Sequence, residues 1–89
     1  TKTLAASLLK DKIRANYVIV GWMATPQEIA LRDKTHGDGE KFLQESGEKR
    51  PLGRHETPDD IAAGVAFLCL DENSHVTACE LNISGGLLI

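Results

Sequence analysis

Aromatic residues are scarce in this chain, limited to Tyr17, Trp22, Phe42 and Phe67. Aromatic rings bury the most area per side chain, so the core they leave is thin. A chain of 89 residues also buries only about 60–65% of its unfolded surface, which makes stability marginal without further cover. The two cysteines, Cys69 and Cys79, are too few for a disulfide scaffold and suit a reduced, cytoplasmic setting better than secretion. Positive charge is not in excess. Ten Lys plus Arg stand against thirteen Asp plus Glu, for a net charge of −3. That balance argues against a nucleic-acid partner or an anionic membrane. No apolar run approaches the ~20 residues of a membrane helix, and no signal-peptide pattern opens the chain. Thr1 in place of Met fits either a processed terminus or a segment of a longer protein.

What is present is 42% apolar and 26% charged, the make-up of one ordinary domain. Residues 1–12 predict an amphipathic helix with Leu4, Ala5, Leu8 and Leu9 on one stripe and Lys10 and Lys12 at its carbonyl end. Tyr17-Val18-Ile19-Val20 is β-branched and aromatic without alternation, which predicts a strand covered on both faces, as in a parallel sheet. Gly21 ends that run, and Thr25-Pro26 has the form of a helix cap with Pro at the first helical position.

The segment 27–50 is charge-rich and poor in apolar residues, and His36-Gly37-Asp38-Gly39 divides it into two short helices. Little apolar burial is expected to hold it down, which suits a mobile flap. Pro51-Leu52-Gly53-Arg54 predicts a turn. Thr57-Pro58-Asp59-Asp60 is the strongest helix start in the chain, with two first-turn carboxylates on the helix dipole. That helix is expected to run to about Leu70, with Ile61, Val65, Leu68 and Cys69 on its apolar face, and a second strand is expected over 76–84. Two strands joined by a long helical crossover form a right-handed parallel βαβ unit, and a sheet of two strands needs more chain or a partner to cover it.

Several short motifs occur in one order. They are Ile13-Arg14-Ala15-Asn16, Gly21-Trp22-Met23-Ala24-Thr25-Pro26, Pro51-Leu52-Gly53-Arg54, Pro58-Asp59-Asp60-Ile61-Ala62, Phe67-Leu68, Val76-Thr77 and Gly85-Gly86. In that order and spacing the chain resembles the C-terminal third of the short-chain dehydrogenase/reductase family, across essentially its whole length. The resemblance implies an α/β fold, the last two strands of a doubly wound Rossmann sheet, with 1–89 as one segment of a single NAD(P)-binding domain. It implies that the loop after the first strand here lies over the nicotinamide of NAD or NADP, so that Gly21, Trp22, Met23 and Thr25 are its cofactor-binding residues. Residues 27–50 would be the substrate lid, its charges suiting a polar carbonyl or alcohol such as a sugar or polyol.

The family's glycine-rich dinucleotide turn, catalytic Ser and Tyr-x-x-x-Lys pair have no match here, so no catalytic residue is assigned. By family spacing that Lys would fall a few residues before Thr1, and the chain alone would be inactive. The last strand and the helix before it pack across a two-fold axis in the family, which implies a homo-oligomer, a dimer or tetramer. Leu81, Ile83, Leu87, Leu88 and Ile89 supply an apolar end for such a contact. Val20, Ala78 and Ser84 depart from the family's usual Pro, Gly and Asp, which loosens the cofactor loop and the subunit packing.

Other readings compete at single residues. Thr25 is a cofactor contact or a plain cap, and the two roles are compatible. Trp22 stacks near the nicotinamide, lines the substrate pocket, or only covers the end of the sheet. His36, His55 and His75 with Cys69 and Cys79 match no metal-ligand spacing and are expected to be surface imidazoles and structural thiols. Arg54 and Lys49-Arg50 are expected to be solvated or at an interface. For the whole chain, the alternative to an oxidoreductase segment is a non-catalytic Rossmann half that survives by oligomerising.

Overall fold

A computed structural model describes residues 1–88. Helix α1 (Lys2–Leu8) runs into a 3-10 turn at Leu9–Asp11, and Lys12 turns the chain with a left-handed φ of 58°. Strand β1 (Tyr17–Val20) follows, then α2 (Pro26–His36), α3 (Gly39–Glu48), α4 (Pro58–Cys69) and strand β2 (Glu80–Ile83). The strands pair in parallel, from Tyr17 opposite Glu80 to Val20 opposite Ile83. The helices between them make the crossover that parallel pairing requires.

Each helix of the crossover starts where its sequence dictates. Thr25 caps α2 by accepting the Glu28 N–H at 3.1 Å, with Pro26 directly after it. Asp38 caps α3 through the Lys41 N–H. Thr57 and Asp60 form a reciprocal capping box on α4, each side chain taking the other residue's backbone N–H. Asp60 therefore does more than face the helix dipole. It also receives a bidentate pair from Arg54 at 2.6 and 2.9 Å, which holds its carboxyl far below the usual range.

The second strand is shorter than its sequence suggests, four residues in place of nine. Ahead of Glu80 several backbone groups are taken by side chains, while the Ala78 N–H and the Cys79 carbonyl pair with the backbone of Ala15 and Tyr17. Arg14 donates to the carbonyls of Val76 and Leu68, both at 2.9 Å, and Asn16 donates to Val76 and accepts from the Cys79 N–H. Thr77 accepts the Ala15 N–H, and Ala78 turns with a left-handed φ of 57°. With these side-chain bonds and the turn at Ala78, the stretch does not continue the regular ladder. The same contacts set the register, because they deliver Tyr17 next to Cys79.

Apolar cover is incomplete. Tyr17 and Val20 are exposed, so β1 is not covered on both faces within this chain. On α4 only Leu68 is buried, while Val65 and Cys69, expected on its inner face, are exposed. Gly64 makes the main close approach, since a Cβ there would overlap the Ile83 side chain of β2. The radius of gyration, 16.6 Å, exceeds the about 12 Å of a closed domain of this length. The chain is an elongated rod, 53 × 22 × 22 Å, with open apolar sides.

The charged segment is better anchored than its composition implies. Leu43 of α3 is among the most buried apolar side chains, and Gly39 and Gly47 are buried as well. Helix α3 closes on α2 at Gly39, whose N–H donates to Asp33 at 2.7 Å. A Cβ at this position would collide with the backbone carbonyl of Ile29, and backbone cannot step aside as a side chain can. Gly39→Ala in the intact protein is expected to lower unfolding free energy by about 1–3 kcal/mol, measured by urea denaturation. A wild-type midpoint would show that the α2–α3 elbow does not depend on this approach.

Candidate functional site

Parallel pairing puts the carboxyl ends of β1 and β2 on one rim, where ligands of open α/β sheets bind. Gly21 leaves β1 there, and Ser84, Gly85 and Gly86 leave β2. A third segment reaches the same rim. Met23 makes an isolated parallel bridge with Glu56, and the Ala24 N–H donates to the Glu56 carbonyl at 2.8 Å. The Thr25 N–H then bonds the Met23 carbonyl at 3.1 Å, which turns the loop into α2. Gly21, Trp22, Met23 and Thr25 are therefore brought together on one short loop pinned from below.

Gly21 owes its identity to its neighbours within the chain. A Cβ would lie 2.7 Å from one Glu56 carboxyl oxygen, 2.9 Å from the other and 3.1 Å from the Ser84 carbonyl. Glu56 is only 7% exposed, and its Oε2 has no partner among the described residues. Burial pushes its carboxyl up from the ordinary glutamate value, and backbone N–H groups, including that of Gly21, offset this in part. Spacing offered no signal for Glu56, since an isolated glutamate between His55 and Thr57 looks like surface.

Trp22 takes a role beyond the three its sequence allows. Its Nε1–H donates to Glu28 at 3.1 Å, and Glu28 also pairs with Arg32 at 2.8 Å, which lowers the Glu28 carboxyl. The Arg32 guanidinium lies 5.3 Å and that of Arg50 4.8 Å from the centre of the indole, within cation–π range. Against the same indole packs His55, with ring centroids 4.4 Å apart. Trp22 thus joins the loop to α2, to the end of α3 and to the segment before α4. His55 is buried, contrary to the surface imidazole expected for it. Arg50, expected to be solvated or at an interface, has a buried Nε.

Thr25 caps α2 with its hydroxyl oxygen, which leaves the O–H proton to donate outward. The helix end beside it favours a negative group, and Arg32 and Arg50 add positive charge nearby. The donor set suits an amide or phosphate. No helix among the described residues is long and apolar enough to cross a membrane.

The raised Glu56 carboxyl has a consequence for pH. Its folded value lies above its unfolded one, so its contribution to stability is full at low pH and is lost as pH rises through the folded value. Glu56→Gln is therefore expected to stabilise the intact protein at neutral pH, with the difference closing near the ordinary glutamate value of about 4.3. Paired thermal melts across that range check this; a gap that is constant with pH overturns it.

Comparison with known proteins covers the whole described chain. A family model described as enoyl-(acyl carrier protein) reductase matches residues 1–88. The 3-oxoacyl-[acyl-carrier-protein] reductase FabG of Thermotoga maritima is 38% identical over 89 residues, all of this chain and 33% of its own length. The short-chain reductase protein NovJ of Streptomyces niveus is 33% identical over 86 residues, again 33% of its own length. L-sorbose reductase from Gluconobacter frateurii, solved with NADPH and L-sorbose, superposes with a TM-score of 0.82 at 30% identity, over 98% of this chain and 35% of that one. Aldohexose dehydrogenase from Thermoplasma acidophilum superposes at 0.74 with 30% identity, over 96% of this chain and 36% of that one. The chain spans about one third the length of the curated relatives it matches. The parallel pair, its helical crossover and these matches agree: this chain belongs to the short-chain dehydrogenase/reductase family and forms a segment of that family's Rossmann fold.

Proposed function

We propose that the intact protein moves hydride between a nicotinamide cofactor, NAD or NADP, and a carbonyl or secondary alcohol. The observation that carries this is the loop Gly21–Thr25 at the carboxyl rim of a parallel pair, with a spare hydroxyl donor at the head of α2. Gly21, Trp22 and Met23 supply backbone along the loop, and the Thr25 O–H donates to the carboxamide or to a phosphate. The cofactor, when bound, supplies or accepts the hydride. Proton transfer belongs to a Tyr outside this chain, its pKa lowered by a Lys four residues on. Within 1–89 no group takes that role, so the isolated chain has no turnover.

Residues 27–50 act as the lid. Closing α2 and α3 over the substrate excludes water from the reacting carbon. Their charge suits a polar substrate, a sugar or polyol. The resemblance to proteins named for L-sorbose and aldohexoses supports that class. The protein works in the cytoplasm as a dimer or tetramer, and the exposed Val65 and Phe67 of α4, with Leu70 just after it, favour a second subunit against that helix.

Four observations test this reading. With an aldose or ketose panel, the intact protein is expected to consume NADH or NADPH, followed by nicotinamide absorbance; no substrate-dependent turnover with any carbonyl counts against it. Thr25→Val is expected to weaken cofactor binding about fivefold, one lost hydrogen bond of about 1 kcal/mol, while Thr25→Ser keeps wild-type affinity. Equal cofactor affinity in all three proteins removes Thr25 from the site. The coding sequence before Thr1 is expected to end in a Tyr-x-x-x-Lys pair. Sedimentation of the intact protein at micromolar concentration checks the assembly, and a monomer would refute it.

A further inference from the structure

The proposed hydride transfer makes no use of His55, yet its side chain is enclosed to 6% exposure between three parts of the chain. From the loop after β1 comes Trp22, its ring tilted 53° against the imidazole. From α3 comes Ser46, whose Oγ lies 2.7 Å from Nε2. Helix α3 reaches this close because residue 47 is glycine. A Cβ there would stand 3.0 Å from the His55 backbone nitrogen and 3.3 Å from ring carbon Cδ2. The next residue along, Glu56, is bridged to Met23 and bonded to Ala24. His55 therefore sits between the anchored loop and the third helix.

The hydrogen bonds assign its tautomer. Nδ1 is buried with no partner among the described residues, so a proton there would be an unsatisfied donor. With the proton on Nε2, the ring donates to Ser46 Oγ, and the Ser46 O–H, 3.2 Å from the Leu43 carbonyl, donates onward. This chain of donors ends at Leu43, the buried anchor of α3 at 4% exposure.

We propose that His55 is a positioning residue, fastening the α3 half of the lid to the Gly21–Thr25 loop through Ser46 and Trp22 and so setting substrate affinity. The proposal rests on residues 27–50 being the lid of the site above. It also makes lid docking dependent on pH. The charged groups around the ring are Arg50 at the end of α3, Glu28 of α2 bonded to Trp22, and Arg32 paired with that Glu28. Burial first, then Arg50, hold the imidazole below its ordinary value, and the Trp22 backbone and then Glu28 oppose them. The docked ring is neutral. As pH falls through the ordinary imidazole range, the undocked ring takes the proton first, so docking weakens.

Three variants of the intact protein test this, each read by substrate KM at saturating cofactor and by amide hydrogen exchange over residues 39–48. His55→Phe keeps an aromatic against Trp22 but has no donor for Ser46. It is expected to raise KM about tenfold, to speed exchange over 39–48, and to leave kcat within about twofold. Ser46→Ala breaks the same bond from the lid side and is expected to move both readouts in the same direction. His55→Gln carries an N–H donor that does not titrate, so near wild-type KM is expected at neutral pH. In wild type, exchange over 39–48, corrected for intrinsic rates, is expected to quicken from about pH 7 to about pH 5.5, and in His55→Gln to stay level. Wild-type KM and exchange in both His55→Phe and Ser46→Ala would overturn the proposal, as would equal pH dependence in wild type and His55→Gln. Absence of nicotinamide-dependent turnover would defeat the hydride reading alone, because the exchange comparison still decides whether His55 docks the helix.

Discussion

The parallel pairing of Tyr17–Val20 with Glu80–Ile83 is the constraint on which the other features depend. Parallel strands cannot be joined by a tight turn, so the chain between them has to leave the rim, cross over and return. That excursion contains α2, α3 and α4; it leaves β1 at Gly21 on the carboxyl rim and enters β2 at Glu80 on the opposite rim, so that Gly21 and Ser84 lie side by side where the two strands end. Register is set from the opposite end. Arg14 and Asn16 bind the carbonyls and amides just before β2, so polar side chains with fixed partners decide which residues face each other. A slip of one residue would part Arg14 from Val76 and invert the faces of the strand.

At the rim, two adjacent ionisable side chains are held inside the chain. Glu56 has its carboxyl pushed up and His55 its imidazole pushed down, both mainly by burial, so desolvation favours the neutral form of each. Such groups weaken a fold unless they hold something in place. Here they lie beneath the loop that carries Gly21, Trp22, Met23 and Thr25, and against the helix that carries Ser46. Perturbed groups of this kind gather at functional sites. Trp22 adds a second tie, since one indole meets Glu28, Arg32, Arg50 and His55.

The open sides of this elongated segment follow from its place in the family. As a segment about one third the length of its relatives, it carries apolar surface that its own two strands cannot cover. Phe67, at 51% exposure on α4, is a large side chain placed for a neighbour. The polar rim is built differently, with its caps and bridges closed inside the segment, while Glu56 Oε2, His55 Nδ1 and Arg50 Nε have no partner among the described residues. Its local geometry is therefore set by these 89 residues, whereas its apolar faces look to other surfaces.

Much of this was legible from residue order. Pro after Thr at positions 25–26 and 57–58, the glycine break at 37–39 and the β-branched run at 17–20 act through local sterics and capping, which neighbouring residues decide. The Gly21–Thr25 loop could be placed at a strand's carboxyl end for the same reason. Tertiary structure alone decided the rest. His55 and Glu56 became buried because a parallel bridge and the close approach at Gly47 draw their segment inward, and no periodicity encodes that. Strand β2 stopped short because side chains sixty or more positions away in sequence took backbone partners just before it. Local rules fix torsions and caps; burial and long-range hydrogen bonds exist only once distant segments meet.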